Sequence, residues 1–238
     1  MSQPCAFVTG GSGGIGSACV RELGNDHDVA IHYRSDRAGA ESAAKNAENS
    51  NSATMLVQAD LADRTDVERM VTEVIDRFGG IDVLVNNAAV FFQTGLLEMS
   101  PEQIETTLTV NLAGTIYCTR AVLPSMLAQG GGNIVTIASR AGTRGSPTDP
   151  VYGASKGGLI GFNHSLARQY TQEAVFSNVV APGATDTTMF AEARRPAHRE
   201  QSPIGRLISP EEVAAAVRFF ADTSCISGRV LEIDGGNG

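Results

Sequence analysis

The sequence predicts an α/β fold: one doubly wound domain on a roughly seven-stranded parallel sheet with helices on both faces. Three observations predict it. Short apolar runs recur along the chain, helical patterns separate them, and a glycine-dense turn joins the first run to the first helix. Runs this short and continuous suit strands buried on both faces, as in a parallel sheet. Strand and helix in alternation then require right-handed crossovers, which place helices on either side.

The strands fall at Cys5–Val8, Val29–Tyr33, Thr54–Gln58, Val83–Val85, Asn133–Ala138, Phe176–Val180 and Val230–Ile233. Between them, segments such as Asp63–Phe78 and Pro101–Leu127 repeat apolar residues at helical spacing. Two helix starts are marked by Ser100-Pro101-Glu102-Gln103 and Ser209-Pro210-Glu211-Glu212. Each offers an N-cap, a proline at the first helical position and a capping-box residue. Ala191–Gly205 shows no strand pattern and carries Arg194, Arg195 and Arg199. It reads as part of a lid-like surface excursion over about 186–206. No linker, low-complexity tract or solenoid repeat interrupts residues 1–238, so a single domain is expected.

Bulk properties narrow the function. A chain of 238 residues can enclose a well-buried core, and 42% hydrophobic against 18% charged residues suits a soluble globular protein. A formal charge of −8 without a basic stripe argues against nucleic-acid binding. Cys5, Cys19, Cys118 and Cys225 are scattered without ligand spacing, so reduced, mostly buried thiols and no metal site are expected. No apolar run approaches the roughly 18–20 residues that span a bilayer. Met1–Pro4 leads directly into the first strand and leaves no room for a targeting segment. A cytoplasmic location without membrane contact is the expectation.

After the first strand comes Thr9-Gly10-Gly11-Ser12-Gly13-Gly14-Ile15-Gly16, which opens the helix Ser17–Leu23. Glycines between strand and helix let the backbone approach a pyrophosphate, and the helix N-terminus supplies amide donors and positive dipole. This is the arrangement of a Rossmann-type dinucleotide site. Gly11, Gly13 and Gly16 fit G-x-G-x-x-G, while Gly10, Gly14 and Gly16 fit G-x-x-x-G-x-G, and both readings stay open. At the end of the second strand, Tyr33 stands where an acid would hold the ribose 2′-hydroxyl of NAD, and Arg34 follows it. Arg34, with Arg37 as a second candidate, favours the 2′-phosphate of NADP(H) and leaves NAD(H) open.

The stretch Ser139–Lys156 carries the reactive side chains. Tyr152 and Lys156, four apart, share one face of a helix. An ammonium beside a phenol favours the phenolate, which would make Tyr152 a proton donor or acceptor. Bringing a phenol from its ordinary pKa near 10 to near 7 asks for about 4 kcal/mol. Lys156 is one of two lysines against sixteen arginines, which makes a decorative role harder to assign to it.

Together these residues carry a resemblance. The chain resembles the short-chain dehydrogenase/reductase family over essentially its whole length, through Thr9-Gly10, Gly14-Ile15-Gly16, Asp60-Leu61, Asn86-Asn87-Ala88-Ala89, Asn111, Ser139, Tyr152, Lys156, Pro182-Gly183 and Asp234-Gly235-Gly236. The resemblance implies a catalytic group of Asn111, Ser139, Tyr152 and Lys156. Tyr152 would protonate a carbonyl oxygen as hydride arrives, and Ser139 would hydrogen-bond the same oxygen. Lys156 would lower the phenol's pKa and hold the ribose, and Asn111 would support a water relaying protons to it. Cofactor contacts would come from Gly10, Gly11, Ser12, Gly13, Ile15, Gly16, Arg34, Asp60, Leu61, Asn87, Ala88, Ala89, Tyr152, Lys156, Pro182, Gly183 and Thr185. The family usually has glycine at the position of Ala89, so this chain adds a methyl beside the cofactor.

Within the family, Gly158-Leu159-Ile160-Gly161-Phe162, Asn178 to Gly183 and Gly205-Arg206-Leu207 look most like bacterial β-ketoacyl-acyl-carrier-protein reductases. That likeness implies a 3-oxoacyl thioester, linked to carrier protein or coenzyme A, and a place in fatty acid biosynthesis. Two departures stand out: Ala128–Gly132 and Gln172-Glu173 are not basic, and the net charge of −8 repels an acidic carrier unless a local patch such as Arg194, Arg195 and Arg199 attracts it. A sugar, cyclic ketone or other secondary alcohol is the alternative substrate. A non-catalytic nucleotide-binding regulator is disfavoured by the complete Ser/Tyr/Lys set. The family habit implies a homotetramer or homodimer packed through Pro101–Leu127 and Tyr152–Tyr170.

Overall fold

The computed structural model describes residues 3–47, 52–189, 192 and 195–237, and all seven expected strands are present. In chain order the elements are β1 (Cys5–Val8), α1 (Gly14–Leu23), β2 (Asp28–Tyr33), α2 (Arg37–Ala47), β3 (Thr54–Gln58), α3 (Arg64–Phe78) and β4 (Val83–Asn86). They continue with α4 (Pro101–Leu108), a π-helical turn (Thr109–Gly114), α5 (Thr115–Gln129), β5 (Gly132–Ile137), α6 (Arg140–Arg144) and α7 (Pro150–Tyr170). The chain finishes with β6 (Val175–Pro182), α8 (Arg195–Gln201), α9 (Pro210–Ala221) and β7 (Val230–Ile233). The strands form one parallel sheet in the order β3-β2-β1-β4-β5-β6-β7. The order reverses between β1 and β4, and a crevice opens at the carboxyl ends of those strands.

Alternation along the strands divides the core into two layers. Ala6 and Val8 of β1 pack toward α1, α2 and α9, with Val20, Leu23, Val217 and Phe220. Cys5 and Phe7 face the other way, toward Val67, Met70 and Val74 of α3 and Val122 and Met126 of α5. Full burial of each such side chain contributes roughly 1.5–3 kcal/mol. The expected caps form: Ser100 Oγ accepts the Gln103 amide while Gln103 Oε1 accepts the Ser100 amide, and Ser209 and Glu212 do the same for α9. Cys5, Cys19 and Cys118 are buried thiols, Cys225 is exposed, and all are free. Among the described residues no helix is long and apolar enough to cross a membrane.

One expected element is different. Pro101–Leu127 does not run as one regular helix but widens into a π turn at Thr109–Gly114. The cause is local bonding. Asn111 turns inward to grip the backbone of Val90, and Gly114 presses so close to the Leu61 carbonyl that a Cβ would lie 2.7 Å from it. An extra residue per turn lets both contacts form, and such bulges concentrate at functional sites.

An ion cluster ties α1 to α9 at the opposite end from the crevice's glycine turn. Arg218 forks onto Asp26 at 2.6 and 2.5 Å and donates to Asp222 at 2.8 Å. The hydrogen bonds from Arg218 hold the Asp26 carboxyl down at about 2. Because the folded pKa is depressed, the stabilisation is present above the ordinary carboxyl pKa and is lost as pH falls toward about 2. Asp26 is half exposed, so solvent screening limits the pair to about 1 kcal/mol. Asp26→Asn is therefore expected to lower Tm by roughly 2–4 °C at neutral pH. Melting curves at decreasing pH should show the gap to wild type closing below about pH 3.

Candidate functional site

The crevice is stitched together by Thr9 and Asn87, where β1 and β4 end and their chains diverge. The Thr9 hydroxyl donates to the Val85 carbonyl (3.2 Å) and accepts the amides of Asn87 (2.9 Å) and Ala88 (3.1 Å). The Asn87 amide in turn donates to the carbonyls of Thr9 (2.9 Å) and Gly10 (3.0 Å). Gly10 sits at φ +63°, a conformation open to glycine at little cost. Gly16 fits so closely beneath it that a Cβ would fall 2.1 Å from the Gly10 carbonyl.

These contacts decide between the two glycine readings. Gly10, Gly14 and Gly16 shape the loop, and Gly10, Ser12, Gly13, Gly14, Ile15 and Gly16 line the cleft. Gly11 does not. Its Cβ position lies 2.6 Å from Ile31 Cγ2, and its amide bonds the His32 carbonyl at 2.8 Å, so it is packing rather than a cofactor contact. No side chain caps α1, which leaves the amides of its first turn for an anion.

The cleft, about 830 Å³, runs from the loop after β2 to the start of α7. Arg34, Asp60 and Leu61 line one end, Asn87, Ala88 and Ala89 the middle, and Pro182, Gly183 and Thr185 the far wall. Ala89 keeps negative φ, so its methyl is carried without backbone strain. Arg37 turns away from this end to pair with Glu41 at 2.9 Å. A glycine floor, uncapped helix amides and a cationic side chain at one end fit a dinucleotide.

Ser139, Tyr152 and Lys156 converge on the wall opposite the glycine loop. Ser139 caps α6 by accepting the Ala141 amide at 3.1 Å, and it hydrogen-bonds the Tyr152 phenol. Lys156 is 2% exposed, donates to the Ile137 carbonyl at 2.8 Å, and places Nζ 5.7 Å from the centre of the Tyr152 ring. Tyr152 keeps part of its surface open to the cleft, and Phe91 packs on its ring at 4.7 Å.

The expected depression of the phenol is corrected by these surroundings. Burial pushes Tyr152 up to about 12; Ser139 pulls it down and Asp149 adds to the rise. Burial also pushes Lys156 down to about 8, which weakens the very charge expected to assist the phenol. The spacing in the sequence shows the partner but not the desolvation.

Asn111 is absent from the cleft wall. Its Oδ1 accepts the Val90 amide at 2.7 Å, and its Nδ2 donates to the Val90 carbonyl (3.0 Å) and to Ser155 Oγ (3.3 Å). Of the lid arginines, Arg194 lies outside the described residues. Arg195 bonds Asp186 and the Thr187 carbonyl and pairs with Glu192, so it is no free anion site. Thr187, Thr188, Met189, Ala197 and His198 from the same excursion border the cleft. In the loop before α7, Ser146 and Asp149 line the cleft, whereas Arg144 bonds Glu232 at 3.3 Å. Thr9, part of the Thr9-Gly10 landmark, stitches the two strand ends together, and Phe91 and His32 join the cleft with no local signal in the sequence to mark them.

A family model described as short chain dehydrogenase matches residues 4–198. The chain is 37% identical to carbonyl reductase family member 4 of Xenopus laevis, covering 99% of this chain and 98% of that protein. It is 35% identical to a 3-oxoacyl-[acyl-carrier-protein] reductase of Synechocystis, covering 99% and 97%. A solved short chain dehydrogenase from Burkholderia cenocepacia in complex with NADP superposes with a TM-score of 0.92 at 35% identity, covering 99% and 97%. With this family-model match and relatives aligned over essentially the whole chain, the chain belongs to the short-chain dehydrogenase/reductase family of oxidoreductases.

Proposed function

We propose that this chain is an NADP(H)-dependent reductase that converts a carbonyl to a secondary alcohol, with a 3-oxoacyl thioester as its substrate. The observation that carries the reading is the convergence of Ser139, Tyr152 and Lys156 on a cleft floored by glycine. The NADP complex of the Burkholderia neighbour supports the cofactor. The name of the Synechocystis relative supports the substrate, and that of the Xenopus relative keeps a simpler carbonyl compound as the second reading.

NADPH, when bound, supplies the hydride. Tyr152 gives its phenolic proton to the carbonyl oxygen, and Ser139 donates a hydrogen bond to the charge developing there. Lys156, held by the Ile137 carbonyl, grips the ribose end and restores the proton. Asn111 acts by fixing the Val90 backbone and α7, through Ser155, rather than by touching substrate. Arg34 lines the cleft's end and would hold the 2′-phosphate. Thr187, Thr188, Met189, Ala197 and His198, which border the cleft, would cover bound substrate.

Unpaired and mostly buried thiols support a reducing, cytoplasmic setting. Leu108 and Leu127, each 38% exposed, support a second copy packed on α4 and α5, in a dimer or tetramer. Arg144, Arg195 and Arg206 are each paired with acids, so these three offer no free positive charge to an acidic carrier protein or to the phosphates of a coenzyme A ester.

Steady-state rates with acetoacetyl-CoA, cyclic ketones and sugars test the substrate; turnover confined to the latter two would sink the thioester reading. Tyr152→Phe should reduce carbonyl reduction about 10²–10⁴-fold without loss of fold. Arg34→Gln should raise KM for NADPH about 10–100-fold and leave that for NADH nearly unchanged. A phenol near 12 is protonated at neutral pH, which suits donation but not abstraction. Alcohol oxidation should therefore climb up to about tenfold per pH unit on the alkaline side, while reduction stays flat around neutrality.

A further inference from the structure

His32 is a buried imidazole in the cleft wall, 2% exposed, that the proposed chemistry does not use. Both ring nitrogens are engaged. Nδ1 accepts the amide of Gly10 at 3.0 Å, and Nε2 meets the Ala59 carbonyl at 3.0 Å. Only a lone pair on Nδ1 can accept an N–H, so the proton must sit on Nε2, where it donates to Ala59. The backbone carbonyl of the same residue takes the next amide, that of Gly11. One residue of β2 thus fixes two successive amides of the glycine loop.

Gly10 is held on its other side as well. Its carbonyl accepts from the Asn87 side chain at 3.0 Å and from the Gly13 amide at 3.3 Å. The left-handed geometry at Gly10 is therefore clamped between Asn87 and His32. We infer that His32 is a positioning residue for the dinucleotide, and that its neutral Nε2–H tautomer sets the glycine loop in the shape that receives the pyrophosphate. Protonation would put a second N–H against the Gly10 amide, donor against donor, and release that side of the clamp.

The charged groups facing the ring are Asp60, on the loop after β3, and Asp66, on α3; the glycine loop contributes no titratable side chain. Burial pushes the imidazole below its ordinary value, and the Ala59 bond and the two carboxylates pull the other way. The neutral form therefore dominates at physiological pH, and dinucleotide affinity should weaken as acid protonates the ring.

The inference rests on the dinucleotide reading, and two measurements separate them. Asparagine can place an acceptor where Nδ1 stands, whereas glutamine can reach only the Nε2 position. In calorimetric titrations of the intact protein with NADP⁺ and NAD⁺, His32→Asn should bind within about threefold of wild type at pH 8, and His32→Gln about tenfold or more weaker. At the acid pH where nitrogen NMR shows the His32 ring taking up its second proton, wild type should lose affinity relative to His32→Asn, a ratio in which the nucleotide's own titration cancels. Equal weakening by both variants, or a constant ratio across that protonation, would overturn the inference. Absence of any binding to wild type would overturn the dinucleotide reading instead. Nitrogen NMR of the protein labelled at its four histidines reads the tautomer without cofactor or folding changes. An Nδ1–H signal for His32, identified by its loss in His32→Asn, would refute the assignment.

Discussion

Everything in the cleft depends on how β1 and β4 part company. Adjacent parallel strands must diverge at their carboxyl ends, because their following helices go to opposite faces of the sheet. Divergence exposes backbone amides and carbonyls that would be costly to leave unpaired. Thr9 and Asn87 satisfy them from both sides with five hydrogen bonds between the two chain ends. The glycine loop starts from one end of this stitch and the Ala88-Ala89 floor from the other. Phe91 follows from that second segment to pack on Tyr152, so the reactive group is registered to the same point.

A second constraint is dryness. Lys156 is buried against a backbone carbonyl, and the phenol beside it is largely enclosed. Desolvation disfavours each charged form, so an ammonium and a phenolate are both expensive here. The protein by itself thus keeps the tyrosine as an acid loaded with its proton. Ser139 is the polar partner that works against this, and its hydroxyl can donate because its oxygen already accepts the Ala141 amide. Asp149, three residues ahead of the tyrosine, works in the other direction. Burial outweighs both neighbours and holds the phenol above its ordinary value.

The strands, the two serine caps and the cleft-lining glycines were legible because each rests on local chemistry: apolar runs, N-cap hydroxyls and residues that tolerate close approach. What could not be read depends on partners far away in the chain. Whether an arginine is free is one case. Arg195 and Arg144 look alike in sequence to Arg34, but Asp186 and Glu232 claim the first two. The π turn is another, since it exists to let Asn111 reach Val90 and Gly114 reach Leu61. A glycine in a loop looks the same in sequence whether it faces a ligand or, like Gly11, packs against Ile31.

The strand order has a consequence for how the molecule assembles. Each strand pairs only with parallel neighbours, so no hairpin offers a local starting point. The pair that defines the cleft joins Val8 to Val85, across most of a nucleotide-binding half of the chain. Loop-closure entropy must be overcome before that pairing contributes anything, which makes such topologies slow to reach the native state. Capacity to bind a dinucleotide therefore arises only once the middle of the sheet has closed. Gain of cofactor affinity during refolding would report on the long-range register of β1 and β4, not on the formation of helices.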